Sequence, residues 1–150
     1  MAAPKVVIDT NVVVKFFLPE AGSVHAERLL EAVLSGDVEL AAPDFMLAEF
    51  VNVLWLKAGR GELDDKDAEE IIAQLLVLTE FMEIIPSGRM LAAIFQTARR
   101  HSHSAYDAAF LAIAEDRGIR LVTADTKFSQ KTRGLSSRLV LLENWKTVLG

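Results

Sequence analysis

Short runs of β-branched and aliphatic residues alternate along this chain with longer stretches whose apolar residues recur at helical spacing. That alternation restricts the fold more than any other feature. Strand-like runs fall at 6–9, 38–42, 82–85, 119–123 and 137–142. Between them, 21–35 carries Val24, Leu29, Leu30, Val33 and Leu34 on one helical face and is stopped by Gly36. Residues 45–57 form a strongly apolar helix ending at Gly59, and 64–79 a helix whose first turn holds Asp64, Asp65 and Asp67, as the helix dipole favours. Further helices are predicted over 87–100 and over 104–117, the latter stopped by Gly118. Residues 10–17 give one or two helical turns before Pro19, and a short helix around Trp145 closes the chain. Strands separated by helices predict an α/β fold: one three-layer α/β/α sandwich around a mostly parallel sheet of about five strands. Ligands of such sheets bind beyond the carboxyl ends of the strands, at a topological switch point.

Four acidic residues stand where that architecture opens its crevice or where a helix should be apolar. Asp9 ends the run Val6-Val7-Ile8, and Asp125 follows Leu121-Val122-Thr123. Glu49 and Asp107 interrupt long apolar helical patterns. Carboxylates so placed are costly unless a cation joins them, and a divalent metal is the natural partner, so the pattern points to a metal-dependent hydrolase. Each residue also has a plain structural alternative. Asp9 and Asp125 suit helix caps or turns. Glu49 could extend its side chain to the surface. Ser104-Ala105-Tyr106-Asp107 fits a capping box, with Asp107 turned back on the helix start, and taken alone that alternative is favoured for Asp107. Thr10, Asn11 and Thr123 are candidate supporting polar groups. His101 and His103 lie two residues apart, which does not put them on one helix face, so they are read as neutral, exposed loop residues or weak RNA contacts. His25 is read as helix surface.

The composition narrows the field. The 150 residues suffice for one domain with a substantial core, and 51% are hydrophobic, which excludes a disordered chain. There is no cysteine, which removes disulfides, thiolate metal sites and cysteine nucleophiles and fits a cytoplasmic protein. The first apolar run is too short for a signal peptide, and no run is long enough to span a membrane. Taken alone, the net charge of −5 disfavours a nucleic-acid partner. Setting the four acids aside, however, leaves 17 of the 21 acids against 16 bases, so the acidity lies mostly in the candidate site. Dinucleotide-binding, phosphate-loop and serine-hydrolase motifs are absent. A receiver-like signalling domain is disfavoured, because the first strand ends in a single Asp and the third runs into Pro86-Ser87-Gly88.

Taken in order, Val7-Ile8-Asp9-Thr10-Asn11-Val12, Glu49-Phe50-Val51-Asn52-Val53-Leu54, the run from Ser104 to Ala114, and Leu121-Val122-Thr123-Ala124-Asp125 resemble the PIN-domain ribonucleases. The closest resemblance is to VapC-type toxins of toxin–antitoxin pairs, and it covers nearly the whole chain. It implies an acidic quartet of Asp9, Glu49, Asp107 and Asp125 around Mg²⁺ or Mn²⁺, supported by Thr10, Asn11, Ser104 and Thr123. It also implies an RNA substrate hydrolysed at a phosphodiester, a homodimer, and an antitoxin that silences it. A PIN nuclease of RNA processing would share this site, and so would an inactive PIN fold kept for binding. Some relatives carry a further acid beyond the fourth. Here Thr126, Lys127 and Phe128 follow instead, which leaves one or two metal ions open. Lys15, Arg99, Arg100, Lys127, Lys131 and Arg133 lie around the acidic segments and are candidate phosphate contacts. Apolar residues on more than one face of 45–57 and 64–79 (Met46, Phe50, Leu54, Trp55; Leu75, Leu76, Leu78) are candidates for a contact surface.

Overall fold

The first strand, β1 (Lys5–Ile8), is apolar on both faces, as a strand covered on both sides by helices must be. Its residues Val6, Val7 and Ile8 are fully buried at the centre of the molecule. The computed structural model describes residues 2–132, 136 and 138–150. In those residues β1 is joined by β2 (Glu39–Pro43), β3 (Met82–Ile85), β4 (Arg120–Thr123) and β5 (Leu139–Leu141). They form one sheet of order β3-β2-β1-β4-β5 with every pairing parallel. The α/β sandwich and its five-stranded parallel sheet agree with the sequence pattern.

The chain winds outward from β1 through β2 to β3, then returns to the other side of β1 for β4 and β5. The switch point therefore lies between β1 and β4. Register there is set by Val7 opposite Leu121 and Ile8 opposite Val122. The Asp9 N–H extends the ladder by donating to the Val122 carbonyl at 3.0 Å, so the strand's hydrogen bonding holds Asp9 at the mouth of the crevice.

The helices are α1 (Thr10–Phe17), α2 (Ser23–Leu34), α3 (Met46–Gly59), α4 (Asp65–Thr79), α5 (Leu91–His101), α6 (Ala105–Arg117) and α7 (Thr126–Thr132). Helix α6 is the most deeply set, with Ala108 through Ala114 all buried. Its alanines let it lie close to α5 on one side and the sheet on the other. It ends at Gly118, whose φ of 64° is the left-handed conformation that glycine takes without a Cβ clash.

Three elements differ from expectation. The helix expected over 87–100 begins as a 3₁₀ turn, Ser87–Met90, where Gly88 disfavours regular helix. The closing helix is a 3₁₀ segment, Leu142–Leu149. Helix α7 lies in a stretch that the sequence pattern leaves unassigned. The start expected for the last strand, at 137, lies outside the described residues.

Candidate active site

Asp9, Glu49 and Asp107 come from three separate elements and line one open cavity of about 550 Å³. Asp9 sits between β1 and α1, Glu49 in the first turn of α3, and Asp107 in the first turn of α6. Thr10, Asn11, Asn52 and Tyr106 share the walls, and among the described residues no lysine or arginine lines them. Asn52 and Tyr106 were not singled out in the sequence. The available signal was position: Asn52 lies one helical turn beyond Glu49, and Tyr106 precedes Asp107.

Asp9 is only 8% exposed. Burial pushes its carboxyl up to about 7; the Thr123 hydroxyl and the Asn11 N–H oppose that shift, and the charges of Asp107 and Glu49 add to it. Glu49 is raised too, first by burial and further by Asp107, against the hydrogen bond from Thr10. That bond, Thr10 Oγ1 to Glu49 Oε1 at 2.9 Å, ties α1 to α3. The cap alternative for Asp9 is only partly met. Asp9 occupies the N-cap position of α1, but its side chain is held across the crevice, accepting from Thr123 Oγ1 at 2.9 Å.

At Asp107 the Ser104 hydroxyl accepts the Asp107 N–H at 3.3 Å, which supplies one half of the capping box. The Asp107 carboxylate lines the cavity. Asp125 behaves differently from the other three acids. Its carboxylate accepts the Phe128 N–H at 2.9 Å and so caps α7, and it is not among the residues lining the cavity. Of the four acids, three line this cavity and the fourth is held beside it. The link is Thr123, fully buried, whose Oγ1 bonds Asp9, the Asp125 N–H at 3.1 Å and Asn11 Nδ2 at 3.4 Å. Asn11 completes the bridge by accepting the Ala124 N–H at 3.0 Å.

The two histidines correct the sequence reading. His101 is buried, because it continues the inward face of α5 set by Ile94 and Thr97. His103 is half-buried and packs edge-on against Phe128. Burial, with the neighbouring Lys131 and His101, lowers its pKa, while Asp107 and Asp125 pull the other way. His25 is half-buried and borders a separate cleft.

The candidate phosphate contacts divide. Lys15 is engaged by Glu20 at 3.1 Å and is largely buried. Arg100 pairs with Glu115, and Lys131 donates to the Ser102 carbonyl at 2.6 Å. Arg99 and Lys127 are exposed. Arg133 lies outside the described residues.

Oxygen donors of this kind suit Mg²⁺ or Mn²⁺, and a buried carboxyl raised by like charges is what such an ion would stabilise. Among the described residues no three His, Asp or Glu side chains stand close enough to hold an ion as placed. The donor set still fits an ion held through one or two carboxylates with water completing its shell, the usual habit of Mg²⁺.

A parallel sheet with carboxylates gathered at its switch point defines an acidic-site α/β domain. The PIN domain family pattern matches residues 6–134, and the chain belongs to that family. Ribonuclease VapC3 of Pyrobaculum aerophilum is 31% identical over 127 residues, 85% of this chain and 94% of its own. A crystal structure of another Pyrobaculum aerophilum protein superposes with a TM-score of 0.68 at 20% identity, covering 99% of this chain and 96% of that one. A toxin–antitoxin complex from Klebsiella pneumoniae does so with a TM-score of 0.65 at 18% identity, covering 91% and 97%. At those identities the two structures speak to the fold. Among the described residues no helix is long and apolar enough to cross a membrane.

Proposed function

We propose that this chain is a metal-dependent endoribonuclease, the toxin of a toxin–antitoxin pair, acting in the cytoplasm. The observation that carries this is the meeting of Asp9, Glu49 and Asp107 in one cavity beside the β1–β4 switch point, with no cationic side chain among the described residues of its walls. The similarity to Ribonuclease VapC3 supports RNA as the substrate.

A bound Mg²⁺ or Mn²⁺ supplies a water of lowered pKa and offsets the charge that develops on the phosphodiester. Asp9 and Asp107 would hold that ion. Thr10 occupies Glu49 Oε1, which leaves the other Glu49 oxygen to orient the attacking water. Thr123 and Asn11 keep Asp9 and the start of α7 in fixed relation. Asp125 acts from beside the cavity. Exposed Arg99 and Lys127 contact the phosphate backbone.

Trp55 on α3 and Leu76 and Val77 on α4 are exposed apolar residues and form the surface covered by partners. The Klebsiella relative was solved as a toxin–antitoxin complex, which supports an antitoxin as one of them. A second copy of this chain is the other. An inhibitor that covers this surface silences the site by bringing an arginine or lysine to the carboxylates.

The test is cleavage of RNA by the purified chain with Mg²⁺ or Mn²⁺ and with excess chelator. Cleavage should need the metal and fall by orders of magnitude in Asp9→Asn. Equal cleavage in chelator, or a wild-type rate in Asp9→Asn, would overturn the reading. A small upstream gene for a DNA-binding protein separates a toxin from an RNA-processing nuclease.

A further inference from the structure

We propose that the corner between α5 and α6 and the helix α7 form a latch that fixes the spacing of Asp107 and Asp125, with His103 and Lys131 as positioning residues. This rests on the reading of the site as a ribonuclease.

Two contacts make the latch. The His103 ring meets the Phe128 ring edge-on, with centroids 4.4 Å apart at 76°. Lys131 Nζ donates to the Ser102 carbonyl at 2.6 Å. Each contact stands next to a group that fixes one of the two acids, the carboxylate of Asp125 on one side and the backbone of Asp107 on the other. On the α7 side, Phe128 is buried in the core, and its N–H binds the Asp125 carboxylate at 2.9 Å. On the corner side, Ser104 follows His103 directly and caps α6 by accepting the Asp107 N–H. Any slide of α7 along the corner therefore changes the separation of the two acids.

The corner has its own mark of constraint. Ser102 has a φ of 54°, the one positive value among the described non-glycine residues. For an L-residue this left-handed conformation at the end of α5 is disfavoured, and it persists where the surroundings fix it. The Lys131 bond to the Ser102 carbonyl is one such restraint. Lys131 is thereby assigned to the protein's own backbone, not to RNA.

The distinguishing experiment compares Lys131→Met, Lys131→Arg, His103→Ala and Lys127→Ala. A displaced group costs rate, not binding, so Lys131→Met should lower kcat about tenfold with KM for RNA and its salt dependence unchanged. Lys131→Arg should restore the rate, and His103→Ala should behave like Lys131→Met. Lys127→Ala should instead raise KM and flatten the salt dependence. A readout without metal or RNA is hydrogen–deuterium exchange. Lys131→Met should speed exchange both in residues 125–132 and across the latch in 101–107. Exchange altered only in 125–132, or a Lys131→Met effect on KM alone, overturns the latch. A wild-type chain that cleaves no RNA with metal overturns the underlying reading instead, and the exchange result still reports on the latch.

Discussion

Thr123 has one hydroxyl proton and two lone pairs, and all three are in use: the proton on Asp9, the lone pairs on the Asp125 N–H and the Asn11 amide. Thr123→Val keeps the shape and removes all three bonds. Because Asp9 stays buried and Asn11 and Asp125 half-buried, the loss should be about 1–3 kcal/mol in urea unfolding, with Thr123→Ser largely restoring stability. A Val variant as stable as wild type would show that the hub holds nothing. Asp9 gives a pH prediction of definite sign. Its carboxyl ionises near 3.8 unfolded and at about 7 folded. The folded state thus holds the proton more tightly, so this contribution to stability is full below about 4 and is lost as pH rises through 7. The gap is worth on the order of 4 kcal/mol. In chelator, Asp9→Asn should therefore be more stable than wild type at pH 8 and lose that advantage by pH 4, as read by melts at the two pH values. A variant less stable than wild type at pH 8 would contradict the burial account of Asp9.

At the scale of elements, α3 and α4 each bury one face and expose another. Met46, Phe50, Leu54, Leu75 and Leu78, counted in the sequence as surplus apolar surface, belong to the core. Trp55 is 68% exposed and Leu76 is exposed, whereas the second tryptophan, Trp145, is 4% exposed. Assembly on this face should shift the Trp55 emission to the blue while Trp145 reports no change. Trp55→Glu should abolish the shift and lower the mass seen by light scattering. A monomer at micromolar concentration would refute the dimer. Most elements were legible because their apolar spacing is strong: β3 was read with the bounds the structure gives it, 82–85. Helix α7 was not, because Phe128 is the one large apolar residue in Thr126–Thr132 and cannot set a period. It forms through the Asp125 cap and the burial of Phe128, both tertiary effects. The inward turn of His101 was legible in principle, since Ile94, Thr97 and His101 fall at helical spacing.

For the whole molecule, the sequence indicates which acids end strands and which break apolar helix faces, and β1 beside β4 brings their elements to one crevice. Distances between elements are not written in local spacing. That is why Asp125 read as an equal of the other three, although the α7 cap draws it aside. The central claim is that Asp9 and Asp107 hold a divalent ion in the cavity they share with Glu49. Calorimetric titration of Mn²⁺ into the chain at pH 8, where Asp9 is ionised, tests it most directly. Saturable binding is expected for wild type, with its loss in both Asp9→Asn and Asp107→Asn. No binding by wild type, or undiminished binding by both variants, would contradict it.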